Sequence, residues 1–484
     1  MRKGLFVKKS IKSLLDEASD ERHGLKRTLG AMNLVTMGIG AIIGAGIFVI
    51  TGQAAAEYAG PAITISFIIA AIICVFAALC YAEFASLIPI AGSAYSYAYA
   101  TMGEFTAWII GWGLTLEYLF SAATVSVGWS GYLVSLFKDF GIIIPKHLAS
   151  SPLIYDAKLG WQESGAVVNL PAVVIVFIIG IMVSIGIKTA ARFNAILVVL
   201  KMGVILLFIA CGIGYINTAN WQPFIPENIG VFGQYGVSGI IRGAGLVFFA
   251  FIGFDAISTL AQESRNPQKD MPKGMLGSLL ICTIAYIIVA LVLTGVVSFK
   301  NLNVADPIGV GVDALGPTFI WLRFVIKIAI LAGLSTVVLV MMMGQARIFY
   351  SMSKDGLLPP AFGKIHPKFR TPFFSSLLIM VVAMFIAGFL PVGILGQLTV
   401  MGALLAFAIV CFGVLILRHT QPLLHRPFKT PFVPWIPLLG TLACVAQMIF
   451  LQGVTWVQFI IWMLIGCSIY FWYGQEHSRI RNKK

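Results

Sequence analysis

The sequence predicts an all-α membrane protein with twelve transmembrane helices. Three observations predict this fold class: composition, the recurrence of long apolar stretches, and the placement of basic residues. The chain has 484 residues, of which 59% are hydrophobic and 11% are charged. Soluble domains hold roughly 45–50% apolar and about 25% charged residues. So few charges could not cover the surface of a soluble protein of this size, and the mean hydropathy is +0.94.

Apolar stretches recur along almost the whole chain. A helix needs about 20 apolar residues to cross a hydrocarbon core roughly 30 Å thick. The predicted spans, numbered 1 to 12, cover 31–57, 61–88, 105–137, 167–187, 194–216, 237–260, 275–298, 319–346, 373–390, 396–417, 435–453 and 455–473. The loops between them are short, so neighbouring spans run antiparallel and both termini lie on one side.

Basic residues identify that side as the cytoplasm. The net charge is +14. Most Lys and Arg residues fall in the tails 1–30 and 474–484 and in loops on the same side, as expected for cytoplasmic segments. Only Lys138, Lys146, Lys158 and Lys300 fall in loops on the other side. This asymmetry explains the basic charge without nucleic acid and predicts a multi-pass protein of the cell membrane with both termini cytoplasmic.

Span 1 has an unusual centre for a membrane helix. Gly38, Gly40, Gly44 and Gly46 lie near its middle, and each glycine costs about 1 kcal/mol relative to alanine in a helix interior. One interpretation is close helix packing, which small residues permit in membranes. The other is a break in the helix.

Span 6 repeats this pattern and adds a charge. Gly245, Gly253 and the carboxylate Asp255 lie inside it, and an ionisable group at that depth is a functional candidate. Interrupted spans at matching positions of two halves indicate a transporter with its site at the repeat interface. The halves are 31–217 and 237–417. They are inverted because each holds five spans, and 435–473 supplies two further helices.

A break at the membrane midplane exposes backbone groups with a defined chemistry. Free N–H groups at the start of a half-helix attract a carboxylate, and free carbonyls at the end of one attract an ammonium. An amino acid carries both groups. The small residues Gly44, Ala45 and Gly46 let a carboxylate approach the backbone amides closely.

The motifs at these breaks resemble the amino acid–polyamine–organocation superfamily, specifically bacterial members of its cationic amino acid transporter family. The stretches that carry the resemblance are Gly44-Ala45-Gly46-Ile47-Phe48, Phe248-Phe249-Ala250-Phe251-Ile252-Gly253-Phe254-Asp255, Tyr81-Ala82-Glu83-Phe84-Ala85-Ser86, Gly128-Trp129-Ser130-Gly131-Tyr132, Asn266-Pro267-Gln268-Lys269 and Asp355-Gly356-Leu357-Leu358-Pro359. The resemblance implies a LeuT-type fold: a 5+5 inverted repeat followed by two C-terminal helices.

The resemblance also implies a binding site. It puts the carboxylate at the amides of Gly44, Ala45 and Gly46, and the ammonium at the carbonyl of Ile42, with Ile43 beside it. In span 6 it implies further carbonyls at Phe249, Ala250 and Ile252, and a gating aromatic ring at Phe248 or Phe249.

Proton coupling is expected from ionisable residues inside the spans. Lys201 of span 5 either extends to the inner surface or, as in sodium-independent members of the superfamily, fills the place of a sodium ion beside span 1 and Ser335 or Thr336 of span 8. A buried amine gives up its proton more readily than one in water. Glu117 and Asp255 are the other candidates, and Lys201 is one possible partner of Glu117. Glu57 and Glu83 at span ends are expected to be hydrated, and Arg323 and Lys327 to anchor span 8 at the interface.

These features together predict a proton-coupled secondary transporter that imports L-amino acids. Neutral substrates, such as alanine or branched-chain amino acids, are favoured because Ile330, Leu331 and Leu334 of span 8 are apolar. The alternative is a transporter of arginine or lysine. A channel would need a polar stripe along several spans, and a membrane enzyme a clustered catalytic set, and neither pattern is present in the sequence. No metal or cofactor is expected.

Overall fold

The computed structural model describes residues 4–19, 29–90, 92–156, 159–186 and 190–482. The described chain is mostly helical. Its α-helices are α1 (Ile11–Ser19), α2 (Ala31–Ile42), α3 (Thr51–Ala54), α4 (Ile63–Leu87), α5 (Ser93–Thr101), α6 (Glu104–Asp139), α7 (Leu170–Ile185), α8 (Ala190–Gly212), α9 (Gly236–Val247), α10 (Pro267–Val296), α11 (Pro307–Asp313), α12 (Ile320–Lys354), α13 (Pro360–Gly363), α14 (Phe373–Phe389), α15 (Val392–Thr420), α16 (Trp435–Ile449), α17 (Gly453–Ile469), α18 (Gln475–His477) and α19 (Arg479–Asn482).

Shorter elements connect or extend these helices. The 3₁₀ segments are Gly60–Ala62, Lys146–Leu148, Ile213–Tyr215, Thr218–Trp221, Phe248–Phe251, Asp255–Glu263, Phe299–Asn301 and Pro317–Phe319, and the π-helical segments are Gly46–Ile50, Ala55–Ala59 and Tyr470–Gly474. Strands β1 (Leu153–Asp156) and β2 (Gly160–Glu163) form an antiparallel hairpin with Leu153 opposite Glu163. The sequence did not predict this hairpin.

The helices account for the predicted apolar stretches. Among the described residues, eight helical segments are long and apolar enough to cross a membrane, and α7, α14 and α16 are shorter apolar helices. One of the eight, Ala31–Leu87, covers both predicted spans 1 and 2. Every predicted span therefore coincides with helical structure, and the chain is a multi-pass membrane protein.

Small residues bring the central helices together. Helix α6 packs against both α12 and α15. At the crossing with α15, a Cβ atom added to Gly402 would lie 2.7 Å from the carbonyl oxygen of Gly113. Close backbone approach of this kind is common between membrane helices. Lipid tails are as apolar as the side chains, so helix association depends on close packing rather than on the hydrophobic effect.

Two predictions about charged side chains at span ends were wrong. Glu83 is not hydrated: its side chain is 1% exposed and forms ion pairs with Arg418 at 2.8 Å and Arg426 at 3.1 Å. Lys327 is not an interfacial anchor either. Its side chain is 1% exposed, and its Nζ atom lies 2.7 Å from a carboxylate oxygen of Asp139. Arg323 binds the same carboxylate.

The two ends of the described chain meet at one face of the protein. The backbone N–H of Glu104 donates to the carbonyl of Val7 at 3.0 Å. The carboxylate of Glu104, which is fully buried, binds Arg481 at 2.9 Å and accepts a hydrogen bond from Ser478. A second contact joins Lys9 to Asp355 at 3.0 Å. The N- and C-terminal segments thus share one side of the helix bundle.

Candidate functional site

The break predicted in span 1 is present. Helix α2 ends at Ile42, and Ile43 has an extended backbone with φ −73° and ψ 100°. Helical structure resumes with the π-helical segment Gly46–Ile50. The first N–H groups of a helical segment have no carbonyl one turn earlier to bind. The amides around Gly44, Ala45 and Gly46 therefore lie at the start of a half-helix, where an anion is favoured.

Span 6 is interrupted at the corresponding place. Helix α9 ends at Val247 after 12 residues, the same length as α2. A short 3₁₀ turn follows, then Ile252 is extended and Gly253 adopts φ +120°. This positive φ is a conformation that L side chains rarely adopt, which explains why glycine stands at the break. A second 3₁₀ segment, Asp255–Glu263, continues the span.

The two broken spans lie side by side and run in opposite directions. A Cβ atom added to Gly38 would meet Ile257, one added to Gly46 would meet Ala250, and one at Gly239 would meet the carbonyl oxygen of Tyr58. As the residue number rises along span 1, the number of its neighbour in span 6 falls. The crossing places both breaks at the same level.

The predicted binding residues all line this buried junction or lie next to it. Ile42, Ile43, Ala45, Phe248, Phe249, Ala250, Ile252 and Leu334 are at most 5% exposed, and Gly44 and Gly46 are also buried. The wall opposite Gly44 is formed by α12, since a Cβ atom at Gly44 would lie 3.3 Å from the side chain of Val337. Leu334 lies one turn before Val337 and shares its face of the helix.

Lys201 does not extend to the surface. Its side chain is 1% exposed, and its Nζ atom lies 2.9 Å from the carbonyl oxygen of Gly40 and 3.0 Å from that of Ile43. Its aliphatic stem packs on α12, where a Cβ atom at Gly333 would lie 2.6 Å from Cε. One ammonium therefore joins the break in span 1 to α8 and α12. Ser335 donates to Leu331, within α12, at 2.8 Å.

Glu117 and Asp255 are both fully buried, and the residue that follows Glu117 is hydrogen-bonded to Asp255. Asp255 accepts hydrogen bonds from the Tyr118 hydroxyl at 2.7 Å and from the backbone N–H of Gly253 at 3.3 Å. Neither carboxyl oxygen of Glu117 has a hydrogen-bond partner among the described residues. Within the same part of the chain, Lys201 forms no ion pair with Glu117 or Asp255, so Lys201 is not the partner of Glu117 that the sequence left possible.

Sequence reasoning missed one side chain at the junction. The hydroxyl of Tyr286, on α10, lies 2.9 Å from the carbonyl oxygen of Ile42 and 2.9 Å from that of Ala250. Among the described residues, no other side chain lies within hydrogen-bond distance of backbone carbonyls at both breaks. The available signal was a hydroxyl-bearing ring in an otherwise apolar part of span 7, because a buried tyrosine usually needs a hydrogen-bond partner.

Comparison with known proteins identifies the family of this chain. The profile described as Amino acid permease matches residues 29–470. The chain is a member of the amino acid permease family. It is 44% identical to the Methylthioribose transporter of Bacillus subtilis (strain 168) over 98% of each chain. It is also 44% identical to the Branched-chain amino acid permease BcaP of the same organism, covering 99% of this chain and 100% of the relative.

A third relative is more distant but also matches from end to end. The Branched-chain amino acid permease BcaP of Lactococcus lactis subsp. cremoris (strain MG1363) is 35% identical over 98% of this chain and 99% of its own length. Membership of the permease family establishes the chain as a membrane transporter rather than an enzyme. It also confirms the resemblance based on the motifs at the two breaks.

Proposed function

We propose that this permease imports neutral L-amino acids, branched-chain ones included, together with protons. The observation that carries the proposal is the junction of the two broken spans. The start of a half-helix at Gly44–Gly46 supplies amides for a carboxylate. The carbonyls of Ile42 and Ala250 converge on one point and supply acceptors for an ammonium.

The wall of the junction supports neutral substrates over cationic ones. Leu334 of α12, on the same face as the Val337 beside Gly44, is apolar and fully buried. Ile330 and Leu331, earlier in this helix, are apolar and buried too. A guanidinium or ammonium side chain pressed against Leu334 would lose its water without gaining a partner, which is strongly unfavourable. A branched aliphatic side chain would instead bury apolar surface there. Two of the relatives compared above carry the name Branched-chain amino acid permease.

Lys201 supports coupling to protons rather than to sodium. Its ammonium occupies the space between the break in span 1 and α12 and supplies the single positive charge that a sodium ion would otherwise bring. In the proposed cycle, the protonated amine holds the break against α8 and α12. Loss of its proton removes two charge-assisted hydrogen bonds, which are stronger than neutral ones, and lets span 1 move. Glu117 and Asp255 are the second proton-binding candidates.

The proposal includes the topology of the protein. Twelve spans in two inverted five-helix halves are supported by the equal lengths of α2 and α9 and by the opposite directions of the two broken spans. The contacts that both terminal segments make with Glu104 support two ends on the same side. The excess of Lys and Arg supports the cytoplasm as that side and the plasma membrane as the location.

A second candidate substrate is methylthioribose, because the relative of that name is as similar in sequence as the branched-chain permease of the same organism. This sugar has neither a carboxylate nor an ammonium, so it would not use the charge complementarity of the junction.

Substrate competition in proteoliposomes separates the two candidates. Uptake of labelled leucine is measured with the twenty amino acids and methylthioribose as unlabelled competitors. Inhibition by alanine, valine, isoleucine and leucine supports the proposal. Absence of leucine uptake by a protein that takes up methylthioribose contradicts it, as does inhibition by arginine as strong as that by leucine.

A further inference from the structure

The hydroxyl of Tyr286 occupies a position between two carbonyls that belong to different broken helices. The tyrosine is fully buried, and its hydroxyl oxygen is 2.9 Å from the carbonyl oxygens of both Ile42 and Ala250. Its ring is held by Phe67, with centroids 5.6 Å apart, and by Phe251, at 5.4 Å. The hydroxyl therefore has little freedom to point elsewhere.

One hydroxyl cannot satisfy two carbonyls at once. A phenol carries a single O–H donor and two acceptor lone pairs, so at any moment one of the two carbonyls lacks a donor from Tyr286. A buried carbonyl without a donor costs free energy. An ammonium carries three N–H donors and can bind both carbonyls together, with a third N–H left for the tyrosine oxygen. The arrangement is thus better completed by an ammonium than by the hydroxyl alone.

We infer that Tyr286 is a positioning residue that assembles the subsite for the substrate ammonium. This inference rests on the proposed function and assigns a role to one further side chain in it. In the empty protein, the hydroxyl donates to the Ile42 or Ala250 carbonyl and keeps the two broken helices aligned. When a substrate enters, its ammonium donates to both carbonyls, and the tyrosine changes from hydrogen-bond donor to acceptor.

The chain offers a matched control for this role. Tyr132 on α6 is also fully buried, and its hydroxyl donates to a carbonyl of span 1, that of Phe48, at 2.6 Å. It therefore makes the same kind of bond to the same span. However, it binds a single carbonyl and does not join span 1 to span 6, so its loss tests the effect of removing a buried hydroxyl without disturbing the paired carbonyls.

The test compares binding of L-leucine with that of L-2-hydroxy-4-methylpentanoate, in which a hydroxyl replaces the ammonium. Binding is measured on purified Tyr286→Phe, Tyr132→Phe and wild-type protein by the rise of the unfolding temperature with ligand concentration. The other amino acids are screened in the same way on the wild type. In Tyr286→Phe we expect leucine to bind roughly tenfold more weakly, as for loss of one hydrogen bond. Binding of the hydroxy acid should change little, which also reports that the variant is folded.

The variants test the role of Tyr286, and the wild-type protein tests the proposed function. If the preference for leucine over the hydroxy acid falls in Tyr286→Phe and is kept in Tyr132→Phe, the inference is supported. If both variants keep the preference, or both lose it equally, Tyr286 has only a structural role and the inference is overturned. A wild-type protein that binds none of the twenty amino acids contradicts the proposed function, and the inference with it.

Discussion

The backbone of Gly46 packs directly on Ala250, so that a Cβ atom added to Gly46 would overlap the Cα atom of Ala250. This contact joins the two interrupted helices at the level of their breaks. Gly44, two residues before Gly46, is less constrained. A Cβ atom there would lie 3.3 Å from the side chain of Val337, which can move by a few tenths of an ångström.

These two glycines should therefore respond differently to substitution. We expect Gly46→Ala to abolish uptake and to destabilise the protein by about 1–3 kcal/mol, as overpacking of a tight interior does. Gly44→Ala should keep measurable uptake, whereas Gly44→Val should lose it because a branched side chain covers the amides. Uptake and unfolding temperature of the purified variants test this. Gly203→Ala, where a Cβ atom would meet nothing within 4 Å, is the control.

Lys201 should be needed for accumulation but not for binding. In Lys201→Ala the Gly40 and Ile43 carbonyls lose their ammonium donor, while the Ile42 and Ala250 carbonyls and the half-helix amides remain. We expect gradient-driven accumulation of leucine to be lost while substrate binding persists. Lys327→Ala is the matched control, because it removes another lysine that is 1% exposed, near the N-terminal end of α12. A Lys201→Ala protein that still concentrates leucine on a proton gradient would move the coupling role to Glu117.

The apolar wall should determine the charge of the substrate. Leu334→Ser removes apolar bulk one turn from Val337 and adds a hydroxyl that can bind a cation. We expect arginine to compete with leucine at least several-fold better in this variant than in the wild type. The same change at the fully buried Leu322 of α12, 12 residues and about 18 Å along the helix, should leave arginine competition unchanged. Equal competition by both amino acids in the wild type would refute the apolar-wall argument.

The ion pairs near the N-terminal end of α12 should contribute to stability and not to selectivity. Asp139 is 3% exposed and binds both Lys327 and Arg323. Asp139→Asn removes this shared carboxylate and leaves Lys327 with Asp306 at 3.5 Å and Arg323 with Asp313 at 3.1 Å. We expect the free energy of unfolding to fall by about 1.5–3 kcal/mol, as for loss of hydrogen bonds to charged groups. Burial raises the pKa of the neighbouring Asp306, so its ionised form is disfavoured there and Asp306→Asn should cost no more than about 1 kcal/mol. The stability losses of the two variants are compared through their unfolding temperatures in detergent. A larger effect at Asp306 than at Asp139 would contradict this assignment.

The position of the breaks was predictable from sequence because it depends on local chemistry. Glycines at 44, 46 and 253 and a carboxylate at 255 are all unfavourable in an uninterrupted lipid-spanning helix. The backbone ends its helices at Ile42 and Val247 as those residues indicate. Burial of Lys201 against span 1 was also anticipated, although the resemblance to a known family, rather than its position in the sequence, supplied that expectation.

The sequence could not predict which side chains from different helices contact one another. Glu83 and Lys327 stand near span ends, which predicts hydration, but Arg418 and Asp139 from distant parts of the chain bury them in ion pairs. Tyr286 was missed for the same reason. Its role depends on where span 7 crosses the other two spans, and the pattern of a single span contains no information about that crossing.

If the junction of the two broken helices couples amino acid import to protons, leucine accumulation must follow the proton gradient. The most direct test is accumulation of labelled leucine by proteoliposomes in sodium-free buffer, with and without an inward proton gradient. We expect leucine to be concentrated inside only while the gradient is present, and a protonophore to abolish the accumulation. Accumulation that requires sodium, or that is the same after the proton gradient has collapsed, would contradict it.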